Sequence, residues 1–198
     1  MKVYINTFGC AYNQADSKKI EKILLEKNIS IVTNEKDADL VIVNTCGVKR
    51  ATHNRIVNYL KNLKKKAIVT GCLVKILDLK RLDKRVIIAN EIAEIDKLLK
   101  KESPKKIKLV KPIKRKIEEV GIIQISQGCL NKCNYCATKI ARGNLKSKPI
   151  SEILKELNEK IDSECKIIYL TAQDTGCYGL DIKTNLSELL EIILKEVK

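Results

Sequence analysis

The chain has 198 residues, 44% of them hydrophobic, and 39 Lys and Arg against 24 Asp and Glu give it a formal net charge of +15. That length allows one large domain or two small ones, with enough apolar residues for a packed core. No apolar run approaches the roughly 18 residues of a membrane-spanning helix, and MKVYINTFGCAYNQADS lacks the apolar stretch of a signal peptide, so a cytoplasmic protein without a membrane partner is expected.

With no Trp and one Phe, the core must rest on Ile, Leu and Val. The positive charge suits a polyanionic partner, although Lys and Glu covering helix faces would give the same count. Eight cysteines in a chain without secretory features point away from disulfides and toward metal or redox chemistry.

The first hundred residues alternate strand and helix patterns. KVYINTF (2–8) reads as a strand, followed by an amphipathic helix over 13–27 with Ile20, Ile23, Leu24 and Lys27 spaced by threes and fours. A short strand is expected at 29–32, a buried one in DLVIVNT (39–45) and a helix over 49–65. AIVTG (67–71) is the next strand, with a helix over 74–82, a strand in RVIIA (85–89) and a helix over 91–101. Such alternation implies an α/β fold with a parallel, doubly wound, flavodoxin-like sheet.

KKESPKKIKLVKPIKRK reads as a basic linker with a short strand at 107–110, so the expected division is 1–101, a linker over 102–117 and a second domain over 118–198. VGIIQISQG (120–128) is a strand running into a cysteine cluster. Ser151 is the expected N-cap of the helix SEILKELNEKI, CKIIYLTAQDTG the next strand and 185–197 the next helix. Two parallel βα units cannot cover both faces of their sheet, so this domain is expected to be incomplete at Lys198.

Cys10, Cys46 and Cys72 each follow a strand directly, in TFGC, VNTC and VTGC. Ligands of open α/β sheets bind at the carboxyl ends of the strands, so these cysteines become neighbours in space. Gly9 and Gly71 let the backbone turn tightly beside them. Buried structural cysteines and a zinc site are the competing readings. Zinc normally takes four ligands in a structural site, whereas three thiolates suit a four-iron cluster with one iron open. The second set is Cys129-x-x-x-Cys133-x-x-Cys136, whose short gaps let one loop wrap a single cluster; a zinc knuckle or a redox pair at Cys133 and Cys136 competes.

This C-x3-C-x2-C loop, with Tyr135 before its last cysteine, resembles the radical S-adenosylmethionine superfamily. TFGCAYNQADSKK, VNTCGVKRAT, TGC and ARGNLKSKPISEI narrow the resemblance to the methylthiotransferases, over essentially the whole chain. GCLNKCNYCATKIARGNLKSKP and LTAQDTGCYG are most similar to the archaeal and eukaryotic branch acting on threonylcarbamoyladenosine in tRNA. Other branches act on isopentenyl-type tRNA adenosine or on a ribosomal protein. The family continues through the rest of a (β/α) barrel and usually a small β-rich RNA-binding domain; neither is in these 198 residues.

The resemblance implies two 4Fe-4S clusters, one on Cys10, Cys46 and Cys72 and one on Cys129, Cys133 and Cys136, the second chelated by S-adenosylmethionine. It implies that a deoxyadenosyl radical removes hydrogen from adenine C2 and that a methylthio group replaces it, with tRNA, an electron donor and a sulfur donor as partners. Tyr135, Gln173 and Asp174 are the implied contacts to S-adenosylmethionine. An electron carrier with two clusters and a zinc-bearing nucleic-acid-binding module are the rivals from other classes. Cys165 and Cys177 read as structural, His53 as a surface histidine, Asn13 and Gln14 as the start of a helix, and Arg142 as either an anion ligand or a surface residue.

Overall fold

The computed structural model describes residues 1–102 and 119–196. The chain divides into two compact units, Met1–Lys114 and Arg115–Lys198. Apart from Glu102, the expected linker and its strand at 107–110 lie outside the described residues.

In the first unit, strands β1 (Lys2–Thr7), β2 (Ser30–Val32), β3 (Leu40–Thr45), β4 (Ala67–Gly71) and β5 (Val86–Ile88) form one parallel sheet in the order β2-β1-β3-β4-β5. This is the flavodoxin-like order, with its switch point between β1 and β3. Helices α1 (Ala11–Glu26), α2 (Arg50–Asn62) and α3 (Ile92–Glu102) connect or follow the strands.

Side-chain alternation along β3 explains the double winding. Leu40 and Ile42 pack with Ile20 and Leu24 of α1 and Ile95 and Leu99 of α3. Val41 and Val43 pack with Ile56 and Leu60 of α2 on the opposite face. All six residues of β3 are buried, and each aliphatic side chain so placed contributes about 1.5–3 kcal/mol relative to exposure.

The helix expected over 74–82 is not formed. Two 3-10 turns, Leu73–Lys75 and Leu79–Arg81, replace it, with Asp78 non-helical between them. Leu73 and Leu79 are both fully buried in one cluster. Six residues apart, they would point about 120° away from each other on a continuous α-helix, so the chain breaks to bury both.

In the second unit, β6 (Val120–Gln124) pairs in parallel with β9 (Ile167–Thr171), and β7 (Ser126–Gln127) pairs antiparallel with β8 (Lys146–Ser147). Between them lie α4 (Ala137–Arg142) and α5 (Ile150–Asp162), and α6 (Leu186–Glu196) follows β9. Pro149, not Ser151, caps α5, and its fixed φ of −57° starts the helix two residues earlier than expected. Ile123, Ile125, Ile153, Leu157, Tyr178 and Leu189 form the core.

β9 is far less covered than β3: Ile167 is 48% and Tyr169 51% exposed, and among the described residues β9 pairs with β6 alone. Hydrogen–deuterium exchange should therefore separate the units. Amides of β3 are expected to exchange only on global opening of the first unit, while β9 amides exchange through local fluctuation. Equal protection of the two strands would contradict this picture of burial.

Candidate metal centre

The register of the first sheet brings together the ends of the three strands that precede Cys10, Cys46 and Cys72. Thr7 pairs with Asn44, and Thr45 with Gly71, so the segments leaving β1, β3 and β4 emerge together at their carboxyl ends. Cys10 is the N-cap of α1, where the partial positive charge of the helix favours an anion. Cys72 opens the 3-10 turn that follows β4. Cys46 follows β3, and Cys46 and Cys72 are buried while Cys10 is exposed.

The three loops touch. A Cβ placed on Gly9 would stand 3.0 Å from Cys46 Cβ, and one on Gly47 would stand 3.6 Å from Cys72 Cβ. Gly71, with φ of +95°, brings its Cα so close to the neighbouring strand that a Cβ would lie 2.3 Å from the Thr45 carbonyl oxygen. Only glycine permits both that conformation and that approach.

A buried polar network fixes the geometry. Asn44 Nδ2 donates to the Asn13 carbonyl at 2.7 Å and to Ser17 Oγ at 2.9 Å. Asn13 Nδ2 donates to Asn44 Oδ1 at 3.1 Å and to the Thr45 carbonyl at 2.9 Å. The amide of Cys72 donates to the same Thr45 carbonyl at 2.9 Å, and Thr45 Oγ1 donates to the Thr70 carbonyl at 2.5 Å. The Cys10 thiol donates to Asn13 Oδ1 at 3.6 Å. Asn13 therefore does more than begin a helix, since it joins the Cys10 and Cys46 loops. Its neighbour Gln14 is exposed.

The second cysteine set lies on the loop between β7 and α4. Cys133 is exposed, Cys129 and Cys136 are half-buried, and Tyr135 is 90% exposed. The Cys136 amide donates to the Cys133 carbonyl at 3.1 Å, and Cys136 caps α4. Lys139 Nζ bonds the Cys129 carbonyl, and the Cys129 amide donates to the Gly143 carbonyl at 3.3 Å. Arg142 ends α4.

The residues after β9 close on this loop. Gln173 Oε1 accepts from the Gly128 amide at 2.6 Å. Asp174 Oδ2 accepts from Asn131 Nδ2 at 2.9 Å, from the Cys177 thiol at 3.0 Å and from the Cys129 thiol at 3.8 Å. These donors, that of Cys177 foremost, hold the Asp174 carboxyl below its ordinary pKa, and the same bond to Asp174 raises the Cys177 thiol. One ligand atom each from Cys129, Asp174 and Cys177 lie within 4.8 Å of one another. So Cys129 shares a close group of ligand atoms with Asp174 and Cys177.

The sequence pattern singled out Gln173 and Asp174 and read Cys177 as structural, while leaving it open because it lies near where a barrel loop would face the site; no spacing rule joins residue 177 to 129. Cys165 lies two residues before β9, outside both sets, and His53 is half-buried on α2 rather than exposed.

Each triad offers three soft thiolate donors with glycine-containing turns beside them, which fits a cluster ligated at three of its irons. Among the described residues no helix is long and apolar enough to cross a membrane.

Residues 2–92 match the family model described as Uncharacterized protein family UPF0004. A protein of Methanocaldococcus jannaschii named "Probable threonylcarbamoyladenosine tRNA methylthiotransferase" is 36% identical over 205 residues, covering 96% of this chain and 48% of that protein. The Threonylcarbamoyladenosine tRNA methylthiotransferase of Homo sapiens is 34% identical over 211 residues, covering 96% of this chain and 36% of its own. The chain thus spans half or less of the length of these relatives. In fold it resembles a radical S-adenosylmethionine methyltransferase of Kitasatospora setae, solved with cobalamin and a [4Fe-4S] cluster, with a TM-score of 0.60 at 11% identity over 98% of this chain and 52% of that one. Residues 2–92 thus match the UPF0004 family, and along 96% of its length the chain is similar to proteins named threonylcarbamoyladenosine tRNA methylthiotransferase.

Proposed function

We propose that this chain is part of a methylthiotransferase that converts N6-threonylcarbamoyladenosine in tRNA to its 2-methylthio derivative. The observation that carries the reading is the relatedness over 96% of the chain to proteins of that name, in a sequence that contains two sets of three cysteines.

In this reading Cys10, Cys46 and Cys72 hold one 4Fe-4S cluster, and Cys129, Cys133 and Cys136 hold another that takes S-adenosylmethionine at its open iron. When bound, these groups supply the one-electron chemistry that an unactivated aromatic C–H bond demands and that side chains cannot provide. The protein's own contribution is placement. The Asn13–Asn44 network holds the first triad's loops in register. Gln173 pins the Gly128 amide, so the end of β9 and the cysteine loop stay together. Asp174 keeps a negative charge beside the loop, suited to the amino group of S-adenosylmethionine, and the exposed Tyr135 ring is free to cover the bound molecule. Replacing hydrogen by a methylthio group requires a sulfur donor and an electron donor as partners. The +15 charge favours RNA as substrate and should make its binding fall steeply with salt.

Nucleoside analysis of tRNA from cells lacking the gene tests the proposal. N6-threonylcarbamoyladenosine should persist while its 2-methylthio derivative disappears, and the gene encoding the full-length protein should restore it. An unchanged level of the derivative would overturn the proposal, and loss of a different methylthio nucleoside would reassign the substrate.

A further inference from the structure

Cys177 lies outside both triads, yet its thiol and that of Cys129 share one carboxylate oxygen of Asp174, at 3.0 and 3.8 Å. Two sulfurs and one oxygen within 4.8 Å of one another are spaced as the ligands of a single ion are. With sulfur about 2.3 Å and oxygen about 2.0–2.2 Å from zinc, tetrahedral ligands fall within that separation. A cubane is bulkier and holds its cysteines farther apart. Asn131 Nδ2, at 2.9 Å from Asp174 Oδ2, is the kind of outer partner that orients a ligating carboxylate. Lys139 and the Gly143 carbonyl hold the Cys129 backbone, and the other carboxylate oxygen of Asp174 accepts from the Gly176 amide at 3.0 Å, so one ligand's backbone and another's side chain are held in place.

We propose that Cys129, Asp174 and Cys177 form a site for one divalent cation of zinc's class, with a water as fourth ligand, that is mutually exclusive with a cluster on the Cys129 loop. Binding forms two metal–sulfur bonds and one metal–oxygen bond and releases the two thiol protons to solvent. Two thiolates, one carboxylate and a doubly charged ion leave a net charge of −1 on the site. Cys129 cannot serve both occupants, so a bound ion of this class keeps the loop from accepting iron. That exclusivity, though not the ion site itself, rests on the cluster reading above.

Cobalt(II) titration of the reduced, metal-free chain under anaerobic conditions tests the ion site through thiolate-to-cobalt absorption. The wild type and Cys133→Ala should bind the same number of equivalents, Cys177→Ala should bind one fewer, and Asn131→Ala should weaken that equivalent about 10–100-fold. Loss of the equivalent in Cys133→Ala with retention in Cys177→Ala would overturn the site, because the ion would then sit in the cysteine loop alone. In a second arm, one equivalent of zinc added before cluster reconstitution should remove about four irons from the wild type's uptake and none from that of Cys177→Ala. Equal uptake with and without zinc would overturn the exclusivity. Failure of the zinc-free wild type to take up iron would instead count against the cluster reading.

Discussion

Gly128→Ala is expected to abolish iron binding at the second cysteine set while sparing the first. Gly128 has φ of +77°, and a Cβ there would lie 1.9 Å from the Asn144 carbonyl oxygen and 2.4 Å from its carbon. These are backbone atoms, so no rotamer change relieves the collision. The segment next to Cys129 would have to part from Asn144, breaking the bond of the Gly128 amide to Gln173. Left-handed strain of about 1–2 kcal/mol adds to the clash, and a total near 4 kcal/mol places the variant among severe point mutations. Gly143→Ala is the control. Its φ of +75° is similar, with ψ of −152°, but its Cβ would meet nothing within 4 Å, so only backbone strain of about 1–3 kcal/mol applies. Thermal unfolding and iron content of the two variants separate collision from strain, and equal effects would refute the argument.

Asn44→Leu should be the corresponding lesion in the first unit. Asn44 is fully buried and makes three side-chain hydrogen bonds, two to Asn13 and one to Ser17. Leucine is about the right size but removes a donor pair and an acceptor together. The Asn13 carbonyl then loses the partner that Asn44 Nδ2 supplied, and each buried polar group left wanting costs about 1–3 kcal/mol. A loss of about 3–4 kcal/mol is expected in denaturant unfolding of the first unit, with reduced iron at the first triad and normal iron at the second. The exposed Asn62, whose side chain bonds the Asn58 carbonyl, should tolerate Leu within about 0.5 kcal/mol. If Asn44→Leu is equally mild, the network does not set the geometry of the loops.

Much of this architecture was legible in the residues. β3 is a run of apolar residues between polar ends, and such runs are strands buried on both faces. Cysteines placed after three strands were expected to share one end of the sheet, because parallel strands deliver their carboxyl ends to one edge. Elements governed by tertiary contacts were not legible. The segment at 74–82 has helical spacing, yet burying Leu73 and Leu79 together breaks it into two tight turns. α4 has six residues and β7 and β8 two each, lengths at which periodicity carries no signal. Asn13 and Asn44 look like ordinary polar residues until the fold brings them into contact across 31 positions. The contact of Cys177 with Cys129 was hidden for the same reason, since the pairing of β6 with β9 brings their loops together.

Iron and acid-labile sulfide in the anaerobically reconstituted chain test the central claim most directly. The two-triad account predicts about eight irons with matching sulfide, and about four when Cys10, Cys46 and Cys72 are all changed to Ala. Zinc in place of iron, or loss of all iron in that triple variant, would contradict it.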